Sequence, residues 1–202
     1  MVAQQRGEET RARILDAALE AFARYGYDAT GVAEICRRAG VTKGGFYYHF
    51  PSKQAVFLEM LEGWLAEIDQ EMVDVRLGAA SVPEELQRLT ILVHRVFQEA
   101  SGRLPIFLEF LTKAGHSSTV WQATVAPFRK YHDLFAAMMR QGVEEGSLQP
   151  VDPDLASNVL LAYAVGLLAI GLLDPTGADW GQVSRDGMDL LLRGLAQEGE
   201  IE

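Results

Sequence analysis

The stretch that decides the reading is residues 31–53, GVAEICRRAGVTKGGFYYHFPSK. Val32, Ile35 and Ala39 share one side of a helix over 32–39, and Gly40 supplies a tight turn. Thr42 is a natural N-cap for a second short helix over 42–49. Two short helices joined this way form a helix-turn-helix, whose second helix enters the major groove of DNA. Phe46 anchors that helix inward, while Thr42, Lys43, Tyr47, Tyr48 and His49 offer hydrogen-bonding and aromatic groups with no acid among them.

Gly44 and Gly45 are poor helix residues, each costing about 1 kcal/mol relative to alanine. Close approach to DNA is one reason to keep them, and a weak helix held by packing is the other. Lys53 opens the next helix, where the helix dipole disfavours a cation. A phosphate placed there removes the conflict, and a solvated lysine is the plainer alternative.

Outward from this stretch, helical signals dominate, with no alternating strand pattern. Ile14, Ala18 and Phe22 mark one face of a helix over 10–25, which Gly26 ends. Ser52 caps a helix to about residue 76, LGAASV (77–82) links, and Pro83-Glu84-Glu85 starts a helix to about residue 100. A short apolar helix lies between the breaks SGRLP (101–105) and GHSS (115–118). A helix over 118–141 contains Pro127, which should kink it, and residues 142–153 form a loop. Asp152 and Pro153 start an apolar helix over 154–173, and a last helix covers 180–197. The expectation is an all-α, nine-helix chain in two parts: a DNA-binding helix-turn-helix domain over 1–53 and an effector-binding and dimerisation domain over 54–202.

Charge supports the division. The 202 residues carry 18 Lys/Arg against 28 Asp/Glu, a net of −10. Residues 1–53 hold eight basic and six acidic side chains, net +2, so the remainder holds ten against twenty-two, net −12. Phosphate is therefore expected at the first part alone. The single cysteine, Cys36, permits no internal disulfide and reads as a small buried residue. No secretion signal is apparent, and the uncharged run 155–173 reads as a buried helix rather than a membrane span, because acids flank it.

The run from Arg11 to Leu61 resembles the TetR family of bacterial transcription regulators. Gly26-Tyr27, Thr30, Ile35, Ala39-Gly40-Val41, Lys43-Gly44, Tyr47, His49-Phe50 and Lys53 fall at that family's spacing. The resemblance implies DNA contacts from Thr42, Lys43, Gly44, Tyr47, Tyr48 and His49, with Lys53 on phosphate. It also implies a cytoplasmic homodimer reading double-stranded DNA at a palindromic operator, most simply as a repressor released by a small effector. Gly31 stands where the family carries Ser or Thr as a cap, and Thr30 or Glu34 is the expected substitute.

The body is rich in large apolar side chains. Trp64, Phe97, Phe107, Phe110, Trp121, Phe128, Tyr131, Met138 and Tyr163 are candidates to line a site for an apolar or aromatic effector; a plain helical core is the other reading. Glu109 either orients that effector or pairs with Lys113 at i+4. Gly166 and Gly171, with Leu190, Leu191, Leu192 and Leu195, mark the last two helices as the dimer surface. His94, His116 and His132 lack metal spacing, no catalytic constellation appears, and no cofactor is expected. The competing readings are a helical enzyme or carrier for a small apolar molecule and a membrane-associated helical protein.

Overall fold

The computed structural model describes residues 2–99, 105, 106, 109 and 118–195. These residues contain eight helices and no strand: α1 (Val2–Tyr25), α2 (Val32–Ala39), α3 (Lys43–His49), α4 (Lys53–Leu77), α5 (Val82–Glu99), α6 (Ser118–Glu144), α7 (Pro153–Leu173) and α8 (Trp180–Leu195). The count differs from the nine expected. The short apolar helix between α5 and α6 falls largely outside the described residues, of which 105, 106 and 109 are helical.

Helix ends follow local chemistry. Gly26, at φ 80°, closes α1 and donates its N–H to Phe22 O over 2.8 Å. Gly40 at φ 64° closes α2. Thr42 Oγ1 accepts from Gly45 N–H at 3.0 Å, and Ser52 Oγ accepts from Ala55 N–H at 3.1 Å. Asp152 accepts from the N–H groups of Asp154 and Leu155. The sequence expectation misplaces two ends. The first helix starts at Val2 rather than residue 10, and α6 runs through Pro127 to Glu144 before turning at Gly146.

The chain divides into two compact units, Met1–Ala66 with Ser101–Ala123, and Glu67–Ala100 with Thr124–Glu202. This partition differs from a functional division at residue 53, because the first unit also takes the start of α4 and a segment beyond α5. Its core gathers Ile14, Ala18 and Phe22 of α1, Ile35 and Ala39 of α2, Phe46 of α3, Val56 and Phe57 of α4, and Ile106. Val32 is only partly buried. Phe22, Tyr27 and Phe57 pack as an aromatic trio with centroids 4.5 to 5.9 Å apart. Cys36 is buried in the same core, and desolvation pushes its thiol pKa up.

The second unit centres on Leu86, Leu89, Met138, Met139, Leu148, Leu160 and Met188. Gly142 permits that packing, since a Cβ there would lie 2.5 Å from Leu148 Cδ1. The expectation of a buried apolar helix over 154–173 needs correction. In the most apolar 18-residue window of α7 only 28% is buried, and Leu155, Val159, Ile170 and Leu173 are exposed. By length and composition alone α7 could cross a membrane.

Candidate nucleic-acid interface

The first three helices build one exposed surface around α3. Phe46 and Phe50 are buried beneath it, which fixes how the helix is rolled. Arg11 holds its C-terminal end. The guanidinium donates to His49 O over 3.1 Å, lies 4.5 Å from the Phe50 ring centroid, and clasps the Glu59 carboxylate through Nε at 2.7 Å and through Nη2. Thr42, Lys43, Gly44, Tyr47 and Tyr48 are left exposed on α3 or its cap, with Tyr47 54% and Tyr48 85% accessible, and His49 is partly exposed.

Neither helical glycine has a positive φ. A Cβ at Gly44 would come no nearer than 3.9 Å to Thr42 Oγ1, and one at Gly45 no nearer than 3.4 Å. The fold itself therefore has room for alanine at both positions.

Lys53, expected on phosphate, is engaged within the fold. Its ammonium donates to Tyr27 O at 2.6 Å and to Thr30 O at 2.8 Å, and sits 4.0 Å from the Tyr27 ring centroid. Those carbonyls relieve the unfavourable position at the start of α4. The substitute cap expected for α2 is not formed. Gly31 provides no side-chain bond, the buried Thr30 hydroxyl turns to Gly26 O and Ala21 O, and Glu34 pairs with Arg37 and Arg38. Hydrogen bonds from both arginines hold the Glu34 carboxyl down to about 2.

The expected effector residues divide between the units. Trp64 is partly buried against the first core and Trp121 is exposed. Glu109, in the first unit, accepts from the Tyr27 N–H rather than lining an apolar site. In the second unit Met138 is fully buried core and Phe128 is partly buried. Tyr131 donates its hydroxyl to Asp69 Oδ1 over 3.1 Å; burial and the Asp69 charge push its pKa up. Tyr163 donates toward Val183 O at 3.0 Å and Ser184 O at 2.9 Å, tying α7 to α8. Phe107 and Phe110, and the side chain of Phe97, lie outside the described residues. A cleft of about 400 Å³ at the α4–α5 turn is lined by Val73, Arg76, Ser81, Glu85 and Gln141 among others, and by none of the expected effector residues.

Among the described residues no group of three or more potential metal ligands occurs. Sequence reasoning found the surface of α3 through its polar spacing. It missed Arg11, whose contacts with His49 O and Glu59 are 38 and 48 residues away.

Comparison with known proteins agrees with this geometry. The family described as bacterial regulatory proteins, tetR family, matches residues 14–60. The A-factor receptor protein of Streptomyces griseus is 31% identical over 186 residues, covering 91% of this chain; the chain spans 63% of that relative's length. The HTH-type transcriptional regulator AcrR of Shigella flexneri is 28% identical, with 94% of this chain and 90% of AcrR covered. A transcriptional regulator from Saccharomonospora viridis, solved with choline, superposes with a TM-score of 0.81 at 23% identity, over 95% of this chain and 100% of that one. The matched residues run from within α1 into α4 and so contain the helix-turn-helix, and over residues 14–60 the chain matches the tetR family of bacterial regulatory proteins.

Proposed function

We propose that this protein is a cytoplasmic, homodimeric repressor that reads a palindromic operator with α3 and releases it on binding a small apolar or aromatic effector. The observation that carries the reading is the α3 surface. A capped, rigidly anchored helix presents Thr42, Lys43, Tyr47 and Tyr48 outward, beside glycines that internal packing does not demand. Gly44 lets a DNA backbone approach; Lys43, Tyr47 and His49 contact phosphate or base edges; Tyr48, the most exposed of them, reads bases.

Dimerisation is supported by a stripe that no described part of the chain covers. Leu155, Val159, Ala162, Gly166, Ile170 and Leu173 follow one another at spacings of three and four along α7. Val183, Leu190 and Gly194 lie exposed along α8, whereas Gly187 sits under the Tyr163 ring. A Cβ at Gly166 or Gly194 would meet nothing within 4 Å. Small and apolar residues so placed suit close packing of a second copy across a two-fold axis. The two copies of α3 then match half-sites one DNA turn apart, about 34–36 Å. Effector binding shifts the population toward a dimer without that match. Phe128, partly buried in the second unit, is the effector-facing residue of this proposal; Met138 is fully buried core, and the hydroxyls of Tyr131 and Tyr163 are held by Asp69 and by the carbonyls of α8.

Selection from a random duplex library with the purified, ligand-free protein tests the reading. The expected result is an enriched inverted repeat with half-sites one turn apart. A folded dimer that enriches no sequence defeats it.

A further inference from the structure

Glu109 reaches into the helix-turn-helix unit from 82 residues away. Its Oε2 lies 2.8 Å and its Oε1 3.1 Å from the backbone nitrogen of Tyr27, whose N–H it accepts. Tyr27 follows Gly26, the left-handed residue that ends α1. The same short turn is gripped from its carbonyl side. Lys53 donates to Tyr27 O and Thr30 O, and the Thr30 hydroxyl contacts Gly26 O at 2.7 Å. A carboxylate thus holds a peptide N–H while an ammonium holds the carbonyl of the same residue. The Tyr27 ring, packed on Phe22 and Phe57, fixes the third direction.

This turn sets where α2 begins. Gly31 gives α2 no side-chain cap, so the helix start depends on the turn before it. α2 packs against both α1 and α3. A displaced turn therefore moves the helix that α3 leans on. The hold is a charge-assisted hydrogen bond, stronger than a neutral one and replaceable by water. Glu109 does not act alone in its segment, for Ile106 is buried in the core of the same unit.

From this we infer that Glu109 is a positioning residue for DNA binding: its carboxylate fixes the α1–α2 turn, and withdrawing it lowers operator affinity. The inference rests on α3 being the operator-reading helix. It adds a residue distant in sequence to the groups that set affinity, and ties Glu109 to the turn from which α2 starts.

The test compares the full-length protein with Glu109→Ala and Glu109→Gln. Operator affinity, affinity for a random duplex and hydrogen exchange at the Tyr27 amide are measured on each. Glu109→Ala is expected to weaken operator binding about tenfold, as loss of a charge-assisted bond does, and to accelerate Tyr27 exchange. Random-duplex binding should stay within about twofold, and Glu109→Gln, which keeps an acceptor oxygen, should fall between. Operator affinity unaltered in both variants overturns the inference. So do equal losses on operator and random duplex, or unaltered Tyr27 exchange. Should Glu109→Ala fail to fold, Glu109→Gln decides by the same criteria. If the wild-type protein itself selects no operator, the reading of α3 falls and this inference with it; an operator bound equally by variants and wild type overturns the inference alone.

Discussion

At the scale of single residues, Lys53 changes meaning between sequence and structure. Its place at a helix start suggests an anion, and the structure supplies two peptide carbonyls, from Tyr27 and Thr30, in that role. Lys53→Met should therefore lower unfolding stability by about 1.5–3 kcal/mol, the range for hydrogen bonds to a charged group. The salt dependence of random-duplex binding should be unchanged. Denaturant unfolding and a salt titration check both; intact stability with a salt slope reduced by roughly one would return Lys53 to phosphate. The sequence could not show this, because the two carbonyls lie 26 and 23 residues upstream. Glu109 is a sharper case. The i+4 spacing to Lys113 is a local signal, while the contact with Tyr27 exists only once the chain has folded back.

At the scale of elements, α2 shows which signals are local. Its apolar face and its closure at Gly40 are legible, because periodicity and a left-handed glycine act over a few residues. Its start is not, since Thr30 is drawn to α1 and Glu34 to two arginines. The latter pairing has a consequence in pH. The Glu34 carboxyl is lowered from 4.5 to about 2 in the folded protein. A lowered carboxyl stabilises the fold above its unfolded value and loses that contribution as pH falls through its folded value. Wild type should thus exceed Glu34→Gln in stability near neutral pH, and the two should converge between pH 4.5 and about 2. The gap is expected to be small, because Arg37 is exposed and Glu34 partly so. Urea midpoints across that range measure it; a gap independent of pH would show that the pairing contributes nothing. Glu84 and Glu145, also lowered, titrate in both proteins and cancel in the comparison.

At the scale of the whole molecule, the order of helices was readable because caps, prolines and glycines punctuate the chain. What covers each apolar face was not. Composition marks α7 as a helix to be buried, and the structure leaves Leu173 83% exposed, with Leu190 of α8 at 72%. What covers such residues is information that a single chain's hydropathy does not carry. Effector-site residues were hard to read for the same reason: a core aromatic and a cavity-lining aromatic look alike in sequence. Introducing Leu173→Glu and Leu190→Glu together should weaken the dimer by about a hundredfold or more, since each charge is buried unpaired and appears twice across the axis. Sedimentation should then show monomers, with lower thermal stability at equal concentration. Dimers of unaltered strength would place the interface on another face.

The lone sulfhydryl has a practical consequence. Cys36 lies in the core of the first unit, with its proton held on by burial, so an alkylating reagent gains little purchase on the closed form. Its rate of modification then counts the excursions in which α2 lifts from its neighbours. The unaltered polypeptide carries its own stopwatch for the breathing of its helix-turn-helix.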